Sequence, residues 1–402
     1  MGTGNHSQVR RIVISGYYGF RNSGDEAVLR SILLALEEQG KTQGVQIEPI
    51  VLSADPAWTS QMYGVASVRR MHPGDLWSAI RSSDGLISGG GSLLQDATSA
   101  KTIPYYTGVM RLAQLLGKPT FAYSQGIGPV NRRRMDPLIR GVMKRSAYVS
   151  VRDSESAALL ARIGVPANRI EVVPDPVMGL PLPANAENDA ERAAHAATGQ
   201  ASSQSAIATE TALRASAPPI VGVSLRRWRS DGGDLARAAE ALIALSKRKP
   251  VRLRFLPFHT PSDIEASEQV LERLRGRLGE GSSAELAAPG DDPQQMLLEV
   301  SRCDALFGMR LHALIYAANQ YVPMLGLSYD PKIDQFLHRL GLKAIGTTEK
   351  LDAEAFAAAA SSLLDNRAGW LAEHKPAIDL LKQQSQKPAQ QIVHQLRHII
   401  SR

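Results

Sequence analysis

A chain of 402 residues that is 44% hydrophobic is too long for one ordinary core and predicts two domains of roughly 150–200 residues each. Its 46 basic residues against 39 acidic ones give a net charge of +7, a balance suited to anionic partners such as nucleic acid, acidic lipid headgroups or phosphorylated substrates. The single cysteine, Cys303, excludes an intramolecular disulfide and suits a reducing compartment. No apolar run approaches the roughly 18 residues of a membrane span. Residues 1–6 lack the apolar centre of a signal peptide, so the expected place is the cytoplasm, at most peripheral to the inner membrane face.

After a polar start, Arg11-Ile12-Val13-Ile14-Ser15 reads as a first strand. The following loop carries Gly19, Asn22 and Gly24 and enters a helix predicted over residues 25–39, ended by Gly40. Its glycine spacing is not the dinucleotide pattern G-x-G-x-x-G, and Asp25 and Glu26 would repel a phosphate there. Those two acids either offset the helix dipole or contact and deprotonate a sugar hydroxyl. Strands at residues 48–52, 85–88, 120–124 and 148–151 alternate with helical stretches, which argues for a doubly wound parallel sheet. At the strand ends stand Gly89-Gly90-Gly91-Ser92, leading to an expected helix at Leu93-Leu94-Gln95, and Gln125-Gly126 with Gly128. Bare backbone amides at such rims suit a diphosphate. Val151-Arg152-Asp153 closes the next strand, where Arg152 either pairs with a neighbouring acid or faces a ligand. The run Arg132-Arg133-Arg134 reads as a solvated face.

From residue 181 to 218 the composition turns to Ala, Ser, Asn and Pro and reads as a linker or surface insertion. The N-terminal α/β domain is therefore expected at 1–180 and a second α/β domain at 219–372. A C-terminal helix over 373–402 is expected to pack back across them. The second domain opens with the strand Ile220-Val221-Gly222-Val223-Ser224, whose end carries Arg226. Another strand, 251–256, ends near His259, which is either a secondary site residue or a hydrogen-bonded structural histidine. No His, Cys or Asp cluster has metal-ligand spacing.

The central stretch is Gly308-Met309-Arg310-Leu311-His312-Ala313. A short buried strand precedes it, a helix predicted over 311–319 follows, and a second strand at 322–327 leads to Ser328-Tyr329-Asp330-Pro331-Lys332. Charged groups thus gather at the carboxyl ends of neighbouring parallel strands, where open sheets bind ligands. Arg310 offers a planar fork for carboxylate or phosphate, and Lys332 adds a point charge. The bland alternative is an arginine capping the sheet beside a satisfied core histidine.

Gly308-Met309-Arg310-Leu311-His312-Ala313, continued by Val322-Pro323 and Tyr329-Asp330-Pro331-Lys332, resembles the polysaccharide pyruvyltransferase family, over roughly residues 11–345. The closest likeness is to the bacterial type acting on secondary cell-wall polymer (CsaB-like). The resemblance implies two Rossmann-like domains facing a cleft, a GT-B-like architecture. It also implies a phosphoenolpyruvate site using Arg310, Leu311 and Lys332, joined by Arg152 at the matching Val-Arg-Asp-Ser position, with His312 as the general acid. No cofactor is implied, since phosphoenolpyruvate is itself the donor substrate. The acceptor would be a lipid-diphosphate-linked disaccharide containing N-acetylmannosamine, ketalated across O4 and O6, in a pathway of surface-layer anchoring. It would lie along the first domain near Gly19, Asn22, Asp25, Glu26, Gly89, Gly90, Gly91, Ser92, Gln95 and Gln125. On this reading no nucleic acid is a partner. Two other readings stay open: a nucleotide-sugar glycosyltransferase of the same architecture, and a non-catalytic binder of anionic surface polymer. No Glu stands near 316–320 to hold a ribose, which weighs against the first.

Overall fold

A computed structural model describes residues 8–97, 99–184, 217–288 and 290–399. The chain divides into two compact units, one running to Leu180 and resuming at Asp379, the other from Pro181 to Ile378. Most of the expected linker, residues 185–216, lies outside the described residues.

The first unit is built on β1 (Gln8–Tyr18), β2 (Val45–Ser53), β3 (Ala66–Arg69), β4 (Gly85–Ser88), β5 (Gly91–Leu94), β6 (Thr120–Ile127), β7 (Tyr148–Val151) and β8 (Ile170–Val172). They pair in parallel in the order β3-β2-β1-β4-β6-β7-β8, with β5 alongside β6. Ile12, Val13 and Ile14 are fully buried, so consecutive β1 side chains are covered on both sheet faces, as helix-flanked parallel strands require. The strand order reverses between β1 and β4, and their carboxyl ends open the crevice where doubly wound sheets take ligands.

The second unit contains β9 (Ile220–Ser224), β10 (Arg252–Phe255), β11 (Ser283–Leu286), β12 (Ala305–Gly308), β13 (Met324–Ser328) and β14 (Gly346–Thr347). Their order is β11-β10-β9-β12-β13-β14, all parallel, reversing between β9 and β12. Val223, Phe255 and Phe307 line one core with Leu242 and Phe356 from the covering helices. Each such side chain contributes about 1.5–3 kcal/mol by leaving water, which is what holds the strand ends in place.

Two expected elements turn out differently. The helix predicted at Leu93-Leu94-Gln95 is absent: Gly91–Leu94 is a strand, registered on Gln125 and Ile127 of β6. Three residues cannot nucleate a helix, whereas strand geometry buries both Leu93 and Leu94. The one C-terminal helix over 373–402 is instead two, Arg367–Ser385 and Lys387–Arg397. The second buries Ile392, Val393 and Leu396 and packs on the helix Ser23–Gln43 and on β1, β6 and β7. Buried Arg10 on β1 donates from Nε to the Leu396 carbonyl at 3.0 Å, fastening this segment to the first unit.

Candidate active site

In the second unit four adjacent strand ends converge: β10 leads to His259, β9 to Arg226, β12 to Arg310 and His312, and β13 to Tyr329 and Lys332. The helix Leu311–Asn319 begins as the sequence predicts, with Arg310 in extended conformation at its N-cap and no side-chain cap bond. Arg310 therefore stands just outside the first turn rather than within it. Leu311 is buried, so what it offers a ligand is its backbone N–H at the helix N-terminus. His312 is half-buried in that turn. Lys332 lies in the first turn of the next helix, Pro331–Arg339, and pairs with Asp330 at 3.1 Å.

A residue the sequence reading left without a role organises this region. Asp263, on the helix Ser262–Leu274, is fully buried and takes the Arg310 guanidinium side-on, with Nε at 3.0 Å from Oδ2 and Nη2 on Oδ1. Its Oδ2 also accepts the backbone N–H groups of Phe258 and His259, at 3.1 and 3.0 Å. One carboxylate thus joins the β10 and β12 loops. Two of Arg310's five N–H donors face Asp263, and its end-on edge is the part that suits a second anion.

Beside it, His259 Nδ1 lies 3.0 Å from Ser262 Oγ. Burial and the nearby Arg310 and Arg226 charges hold its pKa below the ordinary histidine value, against an opposing pull from Asp263. At neutral pH the imidazole is neutral, and an arriving anion would oppose the Arg310 and Arg226 charges that, after burial, help to keep it so. Arg226 donates from Nη1 to the Tyr329 hydroxyl at 3.1 Å, and its guanidinium sits 5.2 and 5.1 Å from the Trp228 and Tyr329 ring centres. Trp228 is 51% exposed, an uncommon position for so large a ring. Asp234, fully buried in the next helix, fixes this loop by accepting the Trp228 and Arg229 N–H groups at 2.8 and 3.1 Å.

The residues expected to receive an acceptor lie in the first unit. Asn22 caps the helix Ser23–Gln43 by accepting the Gly24 N–H at 3.1 Å, and Asp25 stays half-exposed. Glu26 does not face solvent: it is fully buried and accepts the Gly19 N–H and the Tyr63 hydroxyl, both at 2.8 Å. It clamps the loop and is withdrawn from deprotonating an acceptor, leaving Asp25 as the accessible acid of the pair. Gly19 has φ +78°, and an added Cβ would fall 2.1 Å from Ser53 Oγ, so only glycine fits.

Burial keeps the Glu26 carboxyl above its ordinary pKa, outweighing the hydrogen bonds from Tyr63, Gly19, Arg21 and Phe20. The folded state then holds this proton more tightly than the unfolded one. Stability from this group rises as pH falls through the folded pKa and levels off below the unfolded value. Glu26→Gln is expected to flatten that limb in melting temperatures taken from neutral pH to about pH 4; an unchanged limb would assign the effect elsewhere.

Gly89 and Gly90 stand at the β4 end, but the Gly89 N–H is used by the Ser15 carbonyl at 2.8 Å. With Gly91 and Ser92 in a strand, no helix N-terminus follows them, which removes the helix dipole expected to favour a diphosphate there. Gln125 is buried and donates to Ser88 Oγ at 3.2 Å, and Gln95 accepts the Ala97 N–H at 2.7 Å. Arg152 belongs to the first unit, not with Arg310 and Lys332 in the second. Its guanidinium donates to Ser92 Oγ at 2.7 Å and lies 3.5 and 3.8 Å from Asp153 and Asp175. Gly126 leaves the space: a Cβ there would meet the guanidinium at 2.8 Å.

Among the described residues no group of three or more His, Cys, Asp or Glu is placed to hold a metal ion. Nor is any helix among them long and apolar enough to cross a membrane. Cys303 is buried with its thiol pushed up to about 12, which leaves it unreactive near neutral pH.

Solved structures similar to this chain include a Staphylococcus aureus MnaA–UDP co-structure, 13% identical, with 98% of each chain covered and a TM-score of 0.60. A UDP-GlcNAc 2-epimerase from Neisseria meningitidis bound to UDP-GlcNAc is 10% identical, covering 96% of this chain and 99% of that one, with a TM-score of 0.58. A glycosyltransferase from Rickettsia africae is 12% identical, covering 97% and 99%, with a TM-score of 0.61. At these identities the likeness establishes a shared GT-B-type fold of two parallel-sheet α/β domains. No curated protein sequence matches the chain. The family described as polysaccharide pyruvyl transferase matches residues 22–331, from the cap of the first helix to the strand end beyond His312. The chain belongs to the polysaccharide pyruvyl transferase family.

Proposed function

We propose that this protein transfers the pyruvyl group of phosphoenolpyruvate to two hydroxyls of one sugar, as a cyclic ketal. The observation that carries this reading is the placement of Arg310 and His312 at the point where the second sheet reverses, with Arg226, His259 and Lys332 on the flanking strand ends. A small trianion needs several cations around one carboxylate and one phosphate. Here the end-on edge of Arg310 and the Lys332 ammonium supply the charge, and the Leu311 N–H adds a donor at a helix N-terminus. Arg152, carried by the first unit and paired there with Asp153 and Asp175, enters this reading from the family resemblance alone.

His312 gives its proton to the methylene carbon, leaving cationic character on the carbon that bears the phosphate and carboxylate. One sugar hydroxyl bonds to that carbon and loses its proton. The carbon–oxygen bond to phosphate then breaks, inorganic phosphate departs, and the second hydroxyl closes the ring; of the two hydroxyl protons lost, one restores His312 and the other leaves on the phosphate. Two C–O bonds form and one breaks, and the methylene becomes the ketal methyl. The acceptor of this reading is N-acetylmannosamine in a lipid-diphosphate-linked disaccharide, ketalated across O4 and O6 for secondary cell-wall polymer that anchors a surface layer. A lipid-linked acceptor places the enzyme in the cytoplasm, in peripheral contact with the inner membrane face.

A nucleotide-sugar donor is the competing reading, because structures of the same fold hold UDP and UDP-GlcNAc. Calorimetric titration of phosphoenolpyruvate and of UDP-GlcNAc separates the two. Arg310→Lys keeps a charge beside Asp263 but loses the fork, and is expected to weaken phosphoenolpyruvate by about 1.5–3 kcal/mol, roughly ten- to a hundredfold. Heat from UDP-GlcNAc with none from phosphoenolpyruvate would overturn pyruvyl transfer.

A further inference from the structure

The loop after β1 holds a feature that the proposed chemistry does not use. Tyr17 and Phe20 stack face to face, with ring centres 4.0 Å apart and planes 10° from parallel, and remain 41% and 45% exposed. Beneath them Arg70 is buried among four rings, its guanidinium 5.9 and 5.3 Å from Tyr17 and Phe20 and 4.7 and 5.5 Å from Tyr105 and Tyr106. It donates to the Gly16 carbonyl at 3.0 Å and to the Tyr106 hydroxyl at 3.1 Å, while the Tyr105 hydroxyl donates to the Arg70 carbonyl at 2.8 Å. The loop cannot relax the rings inward. Gly19 is fixed against Ser53, Glu26 accepts its N–H, and the Ala54 N–H donates to the Tyr18 carbonyl at 3.0 Å. A cavity of about 570 Å³ opens beside Phe20, lined also by Ser53, Arg69, Met71 and His72.

We propose that Tyr17 and Phe20, seated on Arg70, form a stacking platform for a pyranose ring of a glycan acceptor. This rests on the reading that the first unit receives the acceptor, and adds where and how a sugar ring is held. A pyranose presents a face of axial C–H bonds and a rim of hydroxyls. A rigid aromatic face suits the first, and the Arg69, His72 and Ser53 groups around the cavity suit the second. Rings already ordered before binding spare the ligand the entropy of arranging them. The same features disfavour a lipid surface. Insertion into a bilayer calls for side chains that stand out, whereas these two lie flat on each other and are more than half covered. The loop then runs into Asn22 and Asp25 at the start of the helix Ser23–Gln43, so the platform and the accessible acid belong to one short stretch of the chain.

Ligand-observed saturation-transfer NMR on the intact chain tests this without any donor, using methyl N-acetylmannosaminide and N,N′-diacetylchitobiose as probes. Saturation is expected on the C–H protons of one ring face. Phe20→Leu keeps apolar bulk but removes the ring, and should weaken binding about tenfold, as should Tyr17→Leu, while Phe20→Tyr retains it. No saturation in the wild type, or wild-type affinity in both leucine variants, overturns the platform. Co-sedimentation with phosphatidylglycerol vesicles that Phe20→Leu abolishes, with no sugar saturation, overturns it in favour of a lipid contact. Failure of phosphoenolpyruvate to bind in the separate calorimetry leaves this outcome unaffected.

Discussion

Asp263→Ala is expected to cost the second unit about 3–5 kcal/mol, because it strands a largely covered guanidinium without its counter-charge. The loss is compounded by the Phe258 and His259 N–H groups, which share the same carboxylate. Asp263→Asn separates the parts, since an amide oxygen still accepts those N–H groups but no longer neutralises Arg310. It should recover a fraction of the loss and leave phosphoenolpyruvate affinity low, because the β12 loop loses its anchor. Scanning calorimetry suits the measurement, as a chain of two units has no guarantee of a single transition. A change below about 1 kcal/mol in Asp263→Ala would show that the pair is not structural.

The second large effect belongs to His312. If it protonates the methylene carbon, His312→Gln should lower kcat by about 10²–10⁴-fold with little change in phosphoenolpyruvate affinity, since glutamine has similar reach but no proton to give. Phosphate release measured against pH carries the decisive detail. The wild type should lose rate at the alkaline side as the acid deprotonates, and the variant should lack that limb. An identical pH–rate profile in both proteins would remove His312 as the acid.

The strand–helix–strand unit around these residues was legible in the sequence almost to the residue. Helical periodicity over Leu311, Leu314, Ile315 and Ala318, a glycine before it and a buried apolar strand on each side all pointed to one structure. Gly89 to Gln95 misled because glycines before two leucines fit a helix start as well as a strand; pairing with β6, remote in sequence, decided between them. The more general miss concerns acids in first helical turns. In sequence Glu26 reads as dipole compensation or as a base, and Asp234 and Asp263 carry no role, yet each is buried and holds the loop before its helix by backbone N–H groups. What separates them from exposed neighbours such as Asp25 is burial, which spacing does not reveal. Arg70 and the Tyr17–Phe20 pair were unreadable for a related reason, since some 50 residues of chain separate the cation from the rings.

The division of the chain also has a consequence for its synthesis. The sheet of the first unit is complete by about residue 180, but the helix Lys387–Arg397 that covers β1, β6 and β7 emerges only about 200 residues later. At ordinary elongation rates that interval is about 10–40 s, during which the surface awaiting Ile392, Val393 and Leu396 stands open. The nascent chain is therefore most exposed to aggregation while its second half is still being translated.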